Sequence, residues 1–172
     1  MRYFDKFVKK QLKIMATNLH LDTLDKRILT ILTADARIPF LEVARQCGVS
    51  GSAIHQRVQK MQDDGIITGS QFNLNIRNMG YQTCAFVGIQ VNLTKESTHD
   101  DVFQKISEIP EIVECHHITG KYSLLVKIHT HNNEHLKKIL VEKIQSILEI
   151  TSTETFISLE EGFVRQIPIK NG

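Results

Sequence analysis

Cysteine and proline are both scarce in this chain, at three residues each among 172. Cys47, Cys84 and Cys115 lie far apart with no C-x-x-C pair, which argues against a zinc ribbon or a disulfide framework. A reducing cytosol fits such a sequence. No apolar run approaches ~18 residues, so the sequence gives no sign of a membrane span. A Gly-rich loop able to cradle phosphate is missing, as is any carboxylate pair in a catalytic setting. Composition is otherwise ordinary, with 41% hydrophobic and 23% charged residues and nine glycines, so collagen-like, mucin-like and wholly disordered chains are excluded.

Strong charge of one sign is also lacking, since the net value is only +2. Its distribution says more than its sum. Residues 1–21 carry five basic side chains and one acid, residues 22–75 balance at six each, and residues 76–172 carry ten against twelve. A claim of polyanion binding therefore cannot rest on total charge. The opening stretch Met1–Lys13 places Phe4, Phe7, Val8 and Leu12 at helical spacing, as a short basic amphipathic helix would. It lacks the apolar core and cleavage site of a secretory signal. The alternative is a start at Met15, with Ala16-Thr17-Asn18 as leader. Residues 1–20 are accordingly set apart as an extension.

Beyond it, Leu21, Leu24, Ile28, Leu29, Ile31 and Leu32 recur at a period near 3.6, and Asp22 or Thr23 can cap the resulting helix, which should run to about Asp35. A short second helix follows Pro39, with Leu41, Val43 and Ala44 inward. A third should run from about Gly51 to Gln62, with Ile54, Val58 and Met61 inward. Asp64-Gly65 stops it, and the pieces 66–68 and 71–74 around Gly69-Ser70 are expected to form a short hairpin wing. After Gly80 the pattern changes to strand (83–93), helix (101–108), strands (112–119 and 122–130) joined at Gly120-Lys121, helix (133–148) and strand (151–159). That order, β-α-β-β-α-β, is the ferredoxin-like split motif. The expected class is α+β: a winged helix-turn-helix over 21–75, a ferredoxin-like domain over 80–160, and a tail over 161–172.

The segment Phe40–Gln62 (FLEVARQCGVSGSAIHQRVQKMQ) meets the physical demands of a helix-turn-helix. Ala44 is small where two helices cross, Gly48 stands where the turn calls for a positive φ, and Val49 plugs that turn. Docking of Ile54 and Val58 leaves Ser50, Ser52, His55, Gln56 and Gln59 on the opposite face. All five can hydrogen-bond, as reading base edges or holding phosphates requires. Lys60 and Arg57 add positive charge. Arg57 has two readings: it contacts phosphate, or it lies along the helix and pairs with an acid such as Asp25. A helical hairpin with a solvated polar face is the bland alternative to DNA binding. The spacing around Gly48 and the isoleucines after the third helix favour double-stranded DNA as partner.

The run LDTLDKRILTILTADARIPFLEVARQCGVSGSAIHQRVQKMQDDGII, followed by Ile109-Pro110-Glu111-Ile112-Val113-Glu114-Cys115, Ile118-Thr119-Gly120 and Thr153-Glu154-Thr155, resembles the leucine-responsive regulatory protein/AsnC family, the feast/famine regulators. The resemblance covers residues 21–160 in unbroken register. It implies a homodimer built on the ferredoxin-like domains, often assembled into tetramers or octamers, and an amino-acid effector bound between regulatory domains. Gly120, Tyr122, Ser123, Thr153 and Thr155 match the effector region. One departure stands out. The family's hairpin turn usually reads Gly-Asp-Tyr-Asp, whereas this chain has Gly120-Lys121-Tyr122-Ser123. Ser123 offers a neutral hydroxyl where an acid would pair with the effector's ammonium, so a weak response to leucine, a carboxylate-rich ligand or no ligand is expected. Thr153 and Thr155 can equally be ordinary strand residues.

Eight histidines raise the question of a metal. Neighbouring His116 and His117 point to opposite strand faces, His129 should sit opposite Ile112, and His131 with His135 lack a third ligand of matching spacing, so no metal or other cofactor is expected. Cys115 beside His116 or His117 is the nearest approach to a nucleophile and base, and a buried core cysteine explains it better. The expected function is sequence-specific transcription regulation tuned by a small molecule, in the cytoplasm. An architectural DNA binder without effector, or an enzyme on the ferredoxin-like half, are the alternatives.

Overall fold

Asp22 begins the first helix by accepting from the backbone N–H of Asp25, while the Asp25 carboxylate accepts from the N–H of Asp22, a reciprocal capping box. The computed structural model describes residues 20–93 and 97–169. The expectations for residues 1–14, the amphipathic helix and the late start, fall outside the described residues. Two units divide the chain, Met1–Phe72 with Arg165–Gly172 and Asn73–Val164.

The first unit holds α1 (Thr23–Ala34), α2 (Phe40–Cys47) and α3 (Gly51–Asp63). Its core is Ile28, Leu29, Val43, Ala44, Ile54, Val58 and Met61, with Val49, Ile66, Ile67 and Ile169 packed against it. Gly48 closes α2 at φ +70°, the left-handed conformation its position calls for, and its N–H donates to α2 carbonyls. Ser50 caps α3 by accepting from the N–H of Ala53.

The hairpin wing expected over 66–74 does not form. The N–H groups of Ile66 and Ile67 both donate to the carbonyl of Met61, at 2.8 and 3.0 Å, so these residues close the end of α3 rather than enter a ladder. What remains is too short for an independent two-stranded ribbon, and residues 68–75 are exposed and irregular.

The second unit is a four-stranded antiparallel sheet in the order β2-β3-β1-β4, built from β1 (Thr83–Val91), β2 (Ile112–His117), β3 (Leu124–Thr130) and β4 (Ile150–Ser158). The connection after β1 contains α4 (His99–Ser107), and α5 (Asn133–Lys138) follows β3. Alternation puts Ala85, Val87 and Ile89 of β1 and Leu124, Val126 and Ile128 of β3 on the face shared with Val102, Ile106, Leu136, Ile139 and Ile144. The opposite face carries Phe86, Gly88, Lys127, Glu154 and Phe156.

Two details differ from expectation. The long helix 133–148 is α-helical only over α5; Ile139–Ile144 are a π-helix, with the N–H of Gln145 donating to the carbonyl of Leu140. The wider π turn lets Ile139 and Ile144, five residues apart, share one buried face. In the hairpin, His117 faces Leu124 as expected, but an irregularity between Ile112 and Glu114 shifts the register so that Ile112 faces Ile128, not His129.

Candidate functional site

Helix α3 owes its orientation to three residues. Ile54, Val58 and Met61 are no more than 5% exposed and fix which side of the helix meets the core. Ser50, Ser52, His55, Gln56, Gln59 and Lys60 are all exposed as a consequence. Local contacts hold several of them. The hydroxyls of Ser50 and Ser52 lie 3.0 Å apart, and the His55 ring meets Phe40 edge-on with centroids 4.7 Å apart. The amide of Gln59 donates to Asp63 at 3.0 Å. The helix N-terminus lies beside Ser50 and Ser52, and the positive end of its dipole suits an anion.

Arg57 stands apart from that face. Its guanidinium donates to Asp22 at 2.6 Å and Asp25 at 2.7 Å, so of its two readings the acid-paired one is what the structure shows. Hydrogen bonds from the Asp25 backbone and then from Arg57 hold the Asp22 carboxyl below its ordinary range. The capping box of α1 is thus tied directly to α3.

The turn between β2 and β3 is the other candidate. Gly120 has φ +113°, a conformation that favours glycine. Ser123 is tied to its own sheet: its N–H donates to Ile89, its carbonyl accepts from Ile118, and its hydroxyl accepts from the N–H of Val91 at 3.3 Å. Val91 lies where the β1–β4 register shifts, so the hydroxyl supplies an acceptor at the irregularity. The Tyr122 ring lies over Gly88. The Lys121 ammonium sits 5.0 Å from the centre of that ring and pairs with Glu154.

The five residues matched to an effector do not share one side of the chain. Glu154 faces Gly88 across the ladder, on the side where Tyr122 lies, so Thr153 and Thr155 alternate to the helix-covered side. Thr153 accepts there from Gln145 at 2.9 Å. The residues that join the turn instead are Gln90, which donates to the Lys121 carbonyl, and Ser152, which donates to Gln90. Their signal in the sequence was slight, because only the register places them. Gly88 was more visible, as an isolated glycine inside a strand pattern. Cys115 faces Val126, and burial pushes its thiol up to about 11, unlike an activated nucleophile.

Two family models match the chain in this order: the AsnC-type helix-turn-helix domain over residues 21–62 and the Lrp/AsnC ligand binding domain over residues 84–166. Regulatory protein AsnC of Haemophilus influenzae is 42% identical over 148 residues, covering 86% of this chain and 97% of that one. The structure of Escherichia coli AsnC superposes with a TM-score of 0.80 at 37% identity, covering 87% and 99% of the two chains. A feast or famine regulatory protein from M. tuberculosis complexed with L-methionine gives 0.80 at 25% identity, covering 88% and 100%. A helix-turn-helix unit followed by a ligand-binding unit defines a transcriptional regulator. The chain belongs to the Lrp/AsnC family.

Proposed function

We propose that this regulator reads a specific DNA site with α3, acts as a homodimer or a larger even assembly, and responds to an α-amino acid received at the turn 118–123. The observation that carries the DNA reading is the division of α3 into a buried apolar side and an exposed side of hydrogen-bonding residues. Ser50 and Ser52 engage phosphate near the helix N-terminus. His55, Gln56 and Gln59 face base edges, and Lys60 contacts the backbone. A unit with balanced charge has a weak electrostatic grip, so affinity comes from linking copies, with half-sites about one helical turn or its multiples apart. Phe86 and Phe156, on the side of the sheet away from its helices, support pairing through the ferredoxin-like unit.

The ligand reading draws on Glu154. Ser123 lacks a carboxylate, yet Glu154 brings one to the turn through Lys121. An amino acid that displaces this pairing finds an acid for its ammonium in Glu154 and a cation for its carboxylate in Lys121. The L-methionine complex of the M. tuberculosis relative is consistent with this ligand class.

Electrophoretic mobility shift on the protein's own promoter, with and without each amino acid, tests the whole reading. A shift resistant to competitor DNA and altered by an amino acid supports it. Equal competition by random DNA, with no response to any amino acid, identifies an architectural binder instead. Sedimentation velocity tests assembly, and tight specific binding by a monomer overturns it.

A further inference from the structure

Gly88 stands in the middle of β1, between Leu125 of β3 and Glu154 of β4, and is buried. Glycine weakens a strand, and the left-handed conformation that would require one occurs elsewhere, at Gly48, Gly65, Gly69, Gly80 and Gly120. The backbone of Gly88 would therefore accept alanine. The nearest group that opposes a side chain is the Tyr122 ring. A methyl built on Gly88 would lie 2.6 Å from Cδ2, 2.7 Å from Cγ and 2.8 Å from Cε2 of Tyr122. Contacts that close must be relieved by movement. Because Cγ lies on the axis about which the ring turns, rotating the ring leaves the 2.7 Å contact in place. The whole side chain must change rotamer, or the turn that carries it must lift.

We propose that Gly88 is the positioning residue of Tyr122. Its missing side chain opens a notch in the sheet, the Tyr122 ring lies in that notch, and this seat fixes the shape of the turn 118–123. Three further ties hold the same turn against β1: the Ser123 N–H to Ile89, the Ser123 hydroxyl from Val91, and the Gln90 amide to the Lys121 carbonyl. Those ties hold backbone and polar side chains; the notch receives the aromatic ring itself. The ring in turn lies under the Lys121 ammonium, which is paired with Glu154. Filling the notch thus displaces the two charged groups proposed to receive the amino acid. This ligand role rests on the reading of the turn given above, whereas the seat itself does not.

Two measurements on the full chain separate them. The first is an unfolding cycle without ligand, with Gly88→Ala made in the parent and in Tyr122→Ala. With the ring present, alanine should lower the urea midpoint; with the ring removed, the same change should leave it unchanged or raise it, as alanine does at an unstrained glycine in a strand. Tyr122→Phe should behave as the parent, because the ring is kept. An equal loss from Gly88→Ala in both backgrounds overturns the seat. The second is calorimetric titration of the twenty amino acids. Gly88→Ala should bind the parent's best amino acid roughly tenfold more weakly, the loss expected from displacing one charge-assisted contact, with promoter affinity in the absence of ligand unchanged. Parent-like binding by Gly88→Ala overturns the positioning role. If the parent binds none of the twenty, the ligand reading of the turn falls, and the seat is decided by the unfolding cycle alone.

Discussion

The two units place functional side chains in opposite ways. In the helical unit the exposed face of α3 comes from eleven consecutive residues, Ser50 to Lys60, oriented by three core residues within the same helix. In the sheet unit, Tyr122 takes its place from Gly88, Lys121 from Glu154, and Ser123 from Val91, each partner at least 32 residues away in sequence. Local periodicity governs the first site, and strand register governs the second. Damage to a core should accordingly be more selective than the shared chain suggests.

The largest effect is expected from matched core truncations. Ile54→Ala and Ile128→Ala each remove a fully buried side chain and should each cost about 2–5 kcal/mol. Among the described residues, Ile54 belongs to a core of seven buried residues and Ile128 to one of thirteen, so the former loses the greater share of its unit's support. Ile54→Ala should abolish promoter binding and spare amino-acid titration, whereas Ile128→Ala should abolish amino-acid binding and, because copies pair through the sheet unit, weaken promoter binding as well. Loss of amino-acid binding in Ile54→Ala would mean that the units do not act as separate cores.

This contrast also explains what the sequence made legible. The three helices, the cap at Ser50, the left-handed Gly48 and the order of elements after Gly80 follow from short-range chemistry, and all were readable. The wing failed because Ile66 and Ile67 carry strand propensity but are drawn to the Met61 carbonyl and the helical core, a tertiary pull that a local pattern does not reveal. The side of the sheet that Thr153 and Thr155 occupy was not legible for another reason. A match to a family places residues in a region, while alternation along β4 decides which side each occupies, and it is Glu154 that shares the side of the Tyr122 ring.

Smaller changes on α3 sharpen the account of its exposed face. His55→Ala or Gln56→Ala should cost about 1–3 kcal/mol of specific over non-specific binding. An unchanged specificity ratio in both would remove them from base readout. Lys60→Ala should weaken all sequences alike and reduce the salt slope by about 0.9, the value for one phosphate contact. Arg57→Ala offers the control: its charge is engaged by Asp22 and Asp25, so it should lower the unfolding midpoint and leave the salt slope unaltered. A flattened slope in Arg57→Ala would return it to the DNA contacts.

The smallest effect lies in the acid range. The hydrogen bond from Arg45, then that from Gln46, depress the Glu42 carboxyl from 4.5 to about 2. A depressed carboxylate stabilises the fold above its unfolded value, and the contribution is lost as protons reach the folded group. The loss should therefore run from about pH 4.5 down to about pH 2. In the sheet unit Glu149, held low by Lys105 at 2.8 Å, behaves in the same sense. The two differ in setting, because Glu149 is only 7% exposed, whereas Arg45 and Glu42 form a surface pair of neighbours on one helix. Water and salt screen such a surface pair strongly. Glu42→Gln should consequently shift the acid unfolding of the helical unit only slightly, and added salt should erase the difference. Glu149→Gln should shift that of the sheet unit more, because it leaves Lys105 without its partner, and salt should leave most of that difference in place. Equal shifts with equal salt sensitivity would show that burial does not separate these two carboxylates.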